Sequence, residues 1–135
     1  YIGTMLPDFP NFFMLYGPNM NPFSNGLGLV DSEEIVTRFA LQCIAALMAG
    51  SGTTIEVSPQ AFDRYNAELD RMEKTKVYSD PRVTSYYQNR HGRSAVNCPF
   101  DFRQLWSWLR DPAQEGEADT GAVVRPKIGA DLMVE

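Results

Sequence analysis

YIGTMLPDFPNFFMLYGPN, residues 1–19, runs from a turn-rich opening into the apolar quintet Phe12, Phe13, Met14, Leu15 and Tyr16 and stops at Gly17-Pro18-Asn19. A short apolar run between turn formers predicts a strand covered on both faces, as in a parallel sheet, although five residues also fit a helical segment. In open parallel sheets ligands gather at the carboxyl ends of strands, so residues 17–28 are the first functional candidate.

Working outward, Ile35, Val36, Phe39, Ala40, Cys43, Ile44, Leu47 and Met48 recur at intervals of three and four, and Ala45 and Ala46 widen the face. This predicts a mostly buried helix over 32–49. Asp31 or Ser32 is the expected N-cap, Glu33 and Glu34 suit the first turn, and Gly50 suits the C′ position. Residues 53–57 have the β-branched enrichment of a short strand. Ser58-Pro59 then opens a second helix, expected to reach about Lys76. Its stripe is Phe62, Tyr65, Leu69 and Met72; Glu73 and the pair Asp70 with Lys74 fall on the polar side, read as a solvated face without function.

Residues 84–98 read as a hairpin, because Asn89 and Gly92 occupy the first and fourth positions of a type I turn with a following bulge. His91, the only histidine, sits at its tip, where a structural role outweighs a catalytic one and no neighbours complete a metal site. FDFRQLWSWLR, residues 100–110, puts Phe102, Leu105, Trp106 and Leu109 on one helical face and Trp108 on another. Such aromatics are core or interface before they are ligand platforms. Residues 1–112 thus form the folded unit. Residues 113–135 are an acidic, Gly-rich tail, with 122–124 and 128–134 expected to lie extended against this chain or a neighbour.

With 44% apolar and 12% aromatic residues in 135, the chain can bury about two-thirds of its unfolded surface in one core. A net charge of −5 without a basic stripe argues against nucleic acid. No apolar run approaches a membrane span and no signal peptide opens the chain, so a soluble cytoplasmic protein is expected. Cys43 and Cys98 are expected to be reduced and structural. The clustered glycines Gly26, Gly28 and Gly50, Gly52 lack the third member of a G-x-G-x-x-G dinucleotide fingerprint.

In order and approximate spacing, Tyr1-Ile2-Gly3-Thr4, Phe9-Pro10-Asn11, residues 13–19, Ser85-Tyr86-Tyr87, Asn89, Gly92-Arg93 and Pro99 resemble the C-terminal end of Baeyer–Villiger monooxygenases of the hydroxyacetophenone and cyclohexanone type. The resemblance covers residues 1–112. It implies an α/β fold, namely the C-terminal fragment of a Rossmann-like FAD-binding domain with one parallel strand, helices and a β-hairpin. It also implies an enzyme that uses FAD, NADPH and oxygen to insert an oxygen atom beside a ketone, with both cofactors held mainly by an upstream polypeptide. A start in mid-motif without an initiator methionine fits such a fragment or processed piece.

By the same resemblance Gly17, Pro18 and Asn19, with Asn25, Gly26 and Leu27, match the segment that closes over the flavin pyrimidine edge with main-chain donors. Tyr86 matches an aromatic position near the nicotinamide and substrate pocket. Asp31, Glu33 and Glu34 make the following helix N-terminus a poor host for phosphate and leave a neutral ring edge as the fitting ligand. Residues 20–23, Met-Asn-Pro-Phe, depart from the family's smaller or more polar run. The family's catalytic arginine and its F-x-G-x-x-x-H-x-x-x-W motif belong upstream of residue 1, so no catalytic residue is nominated. The fragment is expected to be inactive alone and to expose an apolar edge along 12–16 that another polypeptide would cover. The competing expectation is a non-catalytic module that assembles or oligomerises through that edge and its tryptophans.

Overall fold

Gly28 starts the first helix, α1 (Leu29–Met48), because its N–H donates to the Asp31 carboxylate at 2.7 Å, as at the N3 position of a capping box. The helix therefore begins ahead of the expected Asp31 or Ser32 cap, and Asp31 acts from inside the first turn. At the other end Gly50 takes the left-handed conformation, φ +84°, as the C′ position requires. The computed structural model describes residues 1–22, 26, 28–50 and 53–110.

α2 (Pro59–Glu73) is capped by Ser58, whose hydroxyl accepts from the Ala61 N–H at 3.2 Å. It stops short of Lys76 because the N–H groups of Thr75 and Lys76 turn back three residues, onto Met72 and Glu73. A 3₁₀ turn (Val77–Ser79) follows and folds over the helix end. There Tyr78 and Ser79 donate to the Glu73 carboxylate at 3.3 and 3.0 Å. Glu73 is thus buried, against the expectation of a solvated position, and desolvation raises its pKa. Asp70 pairs with Arg93 at 2.7 Å, across to the hairpin, in place of the expected Lys74.

α3 (Phe102–Leu109) is capped by Asp101, which accepts from Gln104 N–H at 2.9 Å. Leu105, Trp108 and Leu109 face inward, while Phe102 and Trp106 remain on the surface. The expected division of the two tryptophans is therefore reversed. Trp108 meets Phe100 at 4.8 Å and Tyr65 at 5.9 Å, both edge-on, whereas Trp106 lies under the Arg38 guanidinium at 4.9 Å.

The core joins one side of each helix to Tyr1, Ile2 and Met5, with Met20, Ile55, Val57, Cys98 and Phe100 filling between. No disulfide joins Cys43 and Cys98, both buried; burial pushes the Cys43 thiol up to about 12. Only one side of α1 is covered: Ser32, Ile35, Val36, Phe39, Ala40 and Cys43 are buried, but Leu41, Ile44 and Met48 are exposed. The expectation of a mostly buried helix holds for that one side.

The described residues contain helices and extended segments in an α/β-like arrangement, with no sheet among them. Residues 12–16 are not a buried strand. Phe12, Leu15 and Tyr16 are exposed, and the segment is tied to the body by the Met14 N–H donating to Thr4 O at 2.9 Å. A buried strand needs partners along both edges, and the described residues offer none on the outer one. Residues 53–57 likewise make no ladder. Asn11 instead grips Ile55, its N–H donating to the Ile55 carbonyl at 2.9 Å and its side-chain oxygen accepting from the Ile55 N–H at 3.0 Å.

The hairpin turn forms as expected. Asn89 N–H donates to Arg93 O at 2.8 Å, Gly92 N–H donates to Asn89 O at 2.9 Å, and Gly92 has φ +76°. Its arms pair through one antiparallel bridge, Gln88 with Ser94. The expected extended stretches at 122–124 and 128–134, and the rest of the 113–135 tail, lie outside the described residues. No helix among the described residues is long and apolar enough to cross a membrane.

Candidate functional site

Two glycines let the opening turn and the Gly17-Pro18-Asn19 corner lie directly against each other. A methyl group on Gly17 would sit 2.2 Å from the Gly3 carbonyl oxygen, and one on Gly3, φ +57°, would sit 2.6 Å from the Pro18 carbonyl oxygen. Both contacts are backbone on backbone, where no side chain can yield. Gly17 stays half-buried, Pro18 is exposed, and the chain then turns inward at Asn19.

Asn19 takes φ +58°, a left-handed conformation that asparagine tolerates. Its amide nitrogen donates to the carbonyls of Ser94 and Asn97 at 3.2 and 3.1 Å, and its N–H donates to Ala95 O at 3.3 Å. Asn21 continues the attachment: its N–H donates to Val96 O at 3.0 Å, its carbonyl accepts from Cys98 N–H at 2.8 Å, and its side chain donates to Asn97 Oδ1 at 2.7 Å. Residues 19–21 thus lie parallel to the return arm of the hairpin. Asn97 is fully buried, and its own amide nitrogen has no hydrogen-bond partner among the described residues.

The arrangement brings Gly17, Pro18 and Asn19 together and assigns them unequal parts. Gly17 and Pro18 reach the surface, whereas the Asn19 side chain is turned inside. Pro18 has no N–H and that of Asn19 goes to Ala95, so Gly17 carries the main-chain donor of the three that enters no described hydrogen bond. Gly26 is exposed with φ +78° and open space around it. Asn25 and Leu27 lie outside the described residues. Tyr86 is 91% exposed and rests edge-on against Tyr87, ring centres 5.6 Å apart. Gly3, Asn21 and Asn97 are members of the corner that sequence reasoning missed. Their weak signal was an asparagine two residues beyond Gly-Pro-Asn and another beside Cys98, far apart in the chain.

Electrostatically the corner adjoins the acidic start of α1. Partial burial and the nearby Glu33 carboxylate hold the Tyr16 phenol above its usual range. Carboxylates at this helix start oppose an anion such as a phosphate. Among the described residues no group of three or more His, Cys, Asp or Glu is placed to hold a metal ion.

No family model matches the chain, and no solved structure matches it. Uncharacterized monooxygenase y4iD of Sinorhizobium fredii is 26% identical over 111 residues, 82% of this chain. FAD-binding monooxygenase ktnD of Aspergillus niger is 27% identical over 73% of the chain. A Baeyer–Villiger monooxygenase of Pseudomonas aeruginosa is 30% identical over 98 residues, again 73% of the chain. The chain spans only 17%, 17% and 18% of these relatives' lengths. By sequence it therefore resembles a piece of the flavin monooxygenases that include the Baeyer–Villiger enzymes.

Proposed function

We propose that this chain is the C-terminal portion of an FAD- and NADPH-dependent monooxygenase that carries out Baeyer–Villiger oxidation of ketones. In this reading Gly17, Pro18 and Gly26 form a wall against the edge of the flavin ring, and the hairpin bearing Tyr86 stands on the substrate side. One observation carries it: the similarity to FAD-binding and Baeyer–Villiger monooxygenases extends over 69–82% of this chain and 15–18% of those proteins. FAD, when bound, supplies the oxygen-activating redox chemistry. The part of this chain is to bind and orient.

The corner fits that task in a limited way. Gly17 brings backbone to the surface without a side chain, and its N–H is the donor available to a ring oxygen or nitrogen. Asn19 is a positioning residue, which fixes the corner to the hairpin from inside. The sequence contains no G-x-G-x-x-G fingerprint, so the nucleotide halves of both cofactors would be held by the remainder of the enzyme. Alone, the chain would be inactive.

Native mass spectrometry and visible absorption of the purified chain, alone and with the remaining polypeptide of the same protein, test this. The expected result is no flavin on the isolated chain and a one-to-one complex carrying the mass of FAD when the two are combined. A flavin-free homo-oligomer indifferent to the other polypeptide would overturn it. That outcome would support a non-catalytic assembly module, a reading that the exposed Phe9, Phe12, Leu15 and Tyr16 favour.

A further inference from the structure

The outer side of α1 is apolar along most of its length, and no other described element covers it. Leu41 is 60% exposed and Met48 85%; with Val30, Thr37 and Ile44 they fall on one helical stripe, opposite the buried one. A helix apolar on both sides is a helix with two covered faces. Val30, Thr37 and Leu41 of this stripe line a shallow groove together with Glu33 and Glu34.

The chain itself leads to this groove. Arg38 and Gln42, which line it, both donate to the carbonyl of Arg110, at 2.9 and 3.1 Å. Arg110, whose carbonyl is held at the groove wall, is the last described residue, and residues 111–135 follow it in the sequence. They include Ala122, Val123 and Val124, then the cations Arg125 and Lys127, then Leu132, Met133 and Val134. The linking residues 111–121 can span up to ~36 Å, more than the ~30 Å length of a 20-residue helix such as α1. Any point on the stripe is therefore within reach.

We propose that residues 122–134 cover the outer face of α1, with Val123 and Val124 on the Leu41 part of the stripe and Arg125 and Lys127 beside Glu33 and Glu34. The occupant is this chain's own segment, because its apolar run, its cations and its point of departure all match the groove.

A thiol placed in the groove tests this. Leu41→Cys in the full chain is expected to react slowly with a maleimide, while Cys43 and Cys98, both buried, stay silent. Adding Val123→Asp and Val124→Asp should raise the labelling rate at least about tenfold, the effect of losing a segment docked ten to one, with unchanged helical circular dichroism. Ala45→Cys serves as a second groove position should Leu41→Cys misfold. Fast labelling in both proteins overturns the proposal. So does slow labelling that ignores the tail changes but speeds on dilution, because a second copy then covers the face. An independent check is the pair Leu41→Cys with Val124→Cys, expected to form an intramolecular disulfide in dilute solution; its failure to form also counts against the proposal. None of these measurements involves flavin, so they stand apart from the proposed function.

Discussion

Gly17 has the least room of any described glycine outside the opening turn, since an added methyl would meet the Gly3 backbone at 2.2 Å. Gly17→Ala is therefore expected to cost about 3 kcal/mol or more, as overpacking against rigid backbone does, and thermal denaturation would show it. Gly26→Ala makes a useful contrast. It meets nothing, and only its φ of +78° is unfavourable, so a loss of about 1 kcal/mol is expected. Tyr65 offers the opposite sign. Its hydroxyl is buried without a hydrogen-bond partner among the described residues, and Tyr65→Phe should raise stability by about 1 kcal/mol, because an unsatisfied buried group is removed. Glu73 sets a pH dependence: burial raises its folded-state pKa above the usual 4.5. The folded state then binds the proton more tightly than the unfolded one, so this contribution to stability is full below pH 4.5 and is lost as pH rises through the raised value. Urea titrations of the parent and of Glu73→Gln from pH 4 to 8 should show that part of the slope vanish in the variant.

At the scale of elements, the helices were legible in the sequence and the extended segments were not. Ser58-Pro59 marked the start of α2, and Gly50 the end of α1, because capping is decided within one turn of chain. Periodicity could not choose between Trp106 and Trp108, since an eight-residue helix rich in aromatics offers two apolar faces and the partners Tyr65 and Phe100 decide. Trp108→Ala is accordingly expected to destabilise by about 3–5 kcal/mol as a core truncation. Trp106→Ala should cost less than about 1 kcal/mol, in line with an exposed cation–π contact; denaturant midpoints separate the two. The quintet at 12–16 has the composition of a strand, but strand pairing is supplied from outside the segment, and no local pattern reports whether neighbours exist. Of the candidate site, Gly17 and the turn at Asn89 were readable from their own geometry. The inward role of Asn19 was hidden because its acceptors lie 75 and 78 positions away.

For the whole molecule, these long separations have a kinetic meaning. The hairpin closes through neighbours a few residues apart, and α2 meets it through Arg93 with Asp70, 23 positions away. The Gly17-Pro18-Asn19 corner, by contrast, is held by contacts that close a loop of more than 70 residues. Forming such a loop sacrifices chain entropy before any contact rewards it, and rates fall as contacts become less local. The corner should thus be the last part of the described structure to become ordered during refolding. Assembly with a larger polypeptide through this surface would wait on that closure, whatever the speed of the helices.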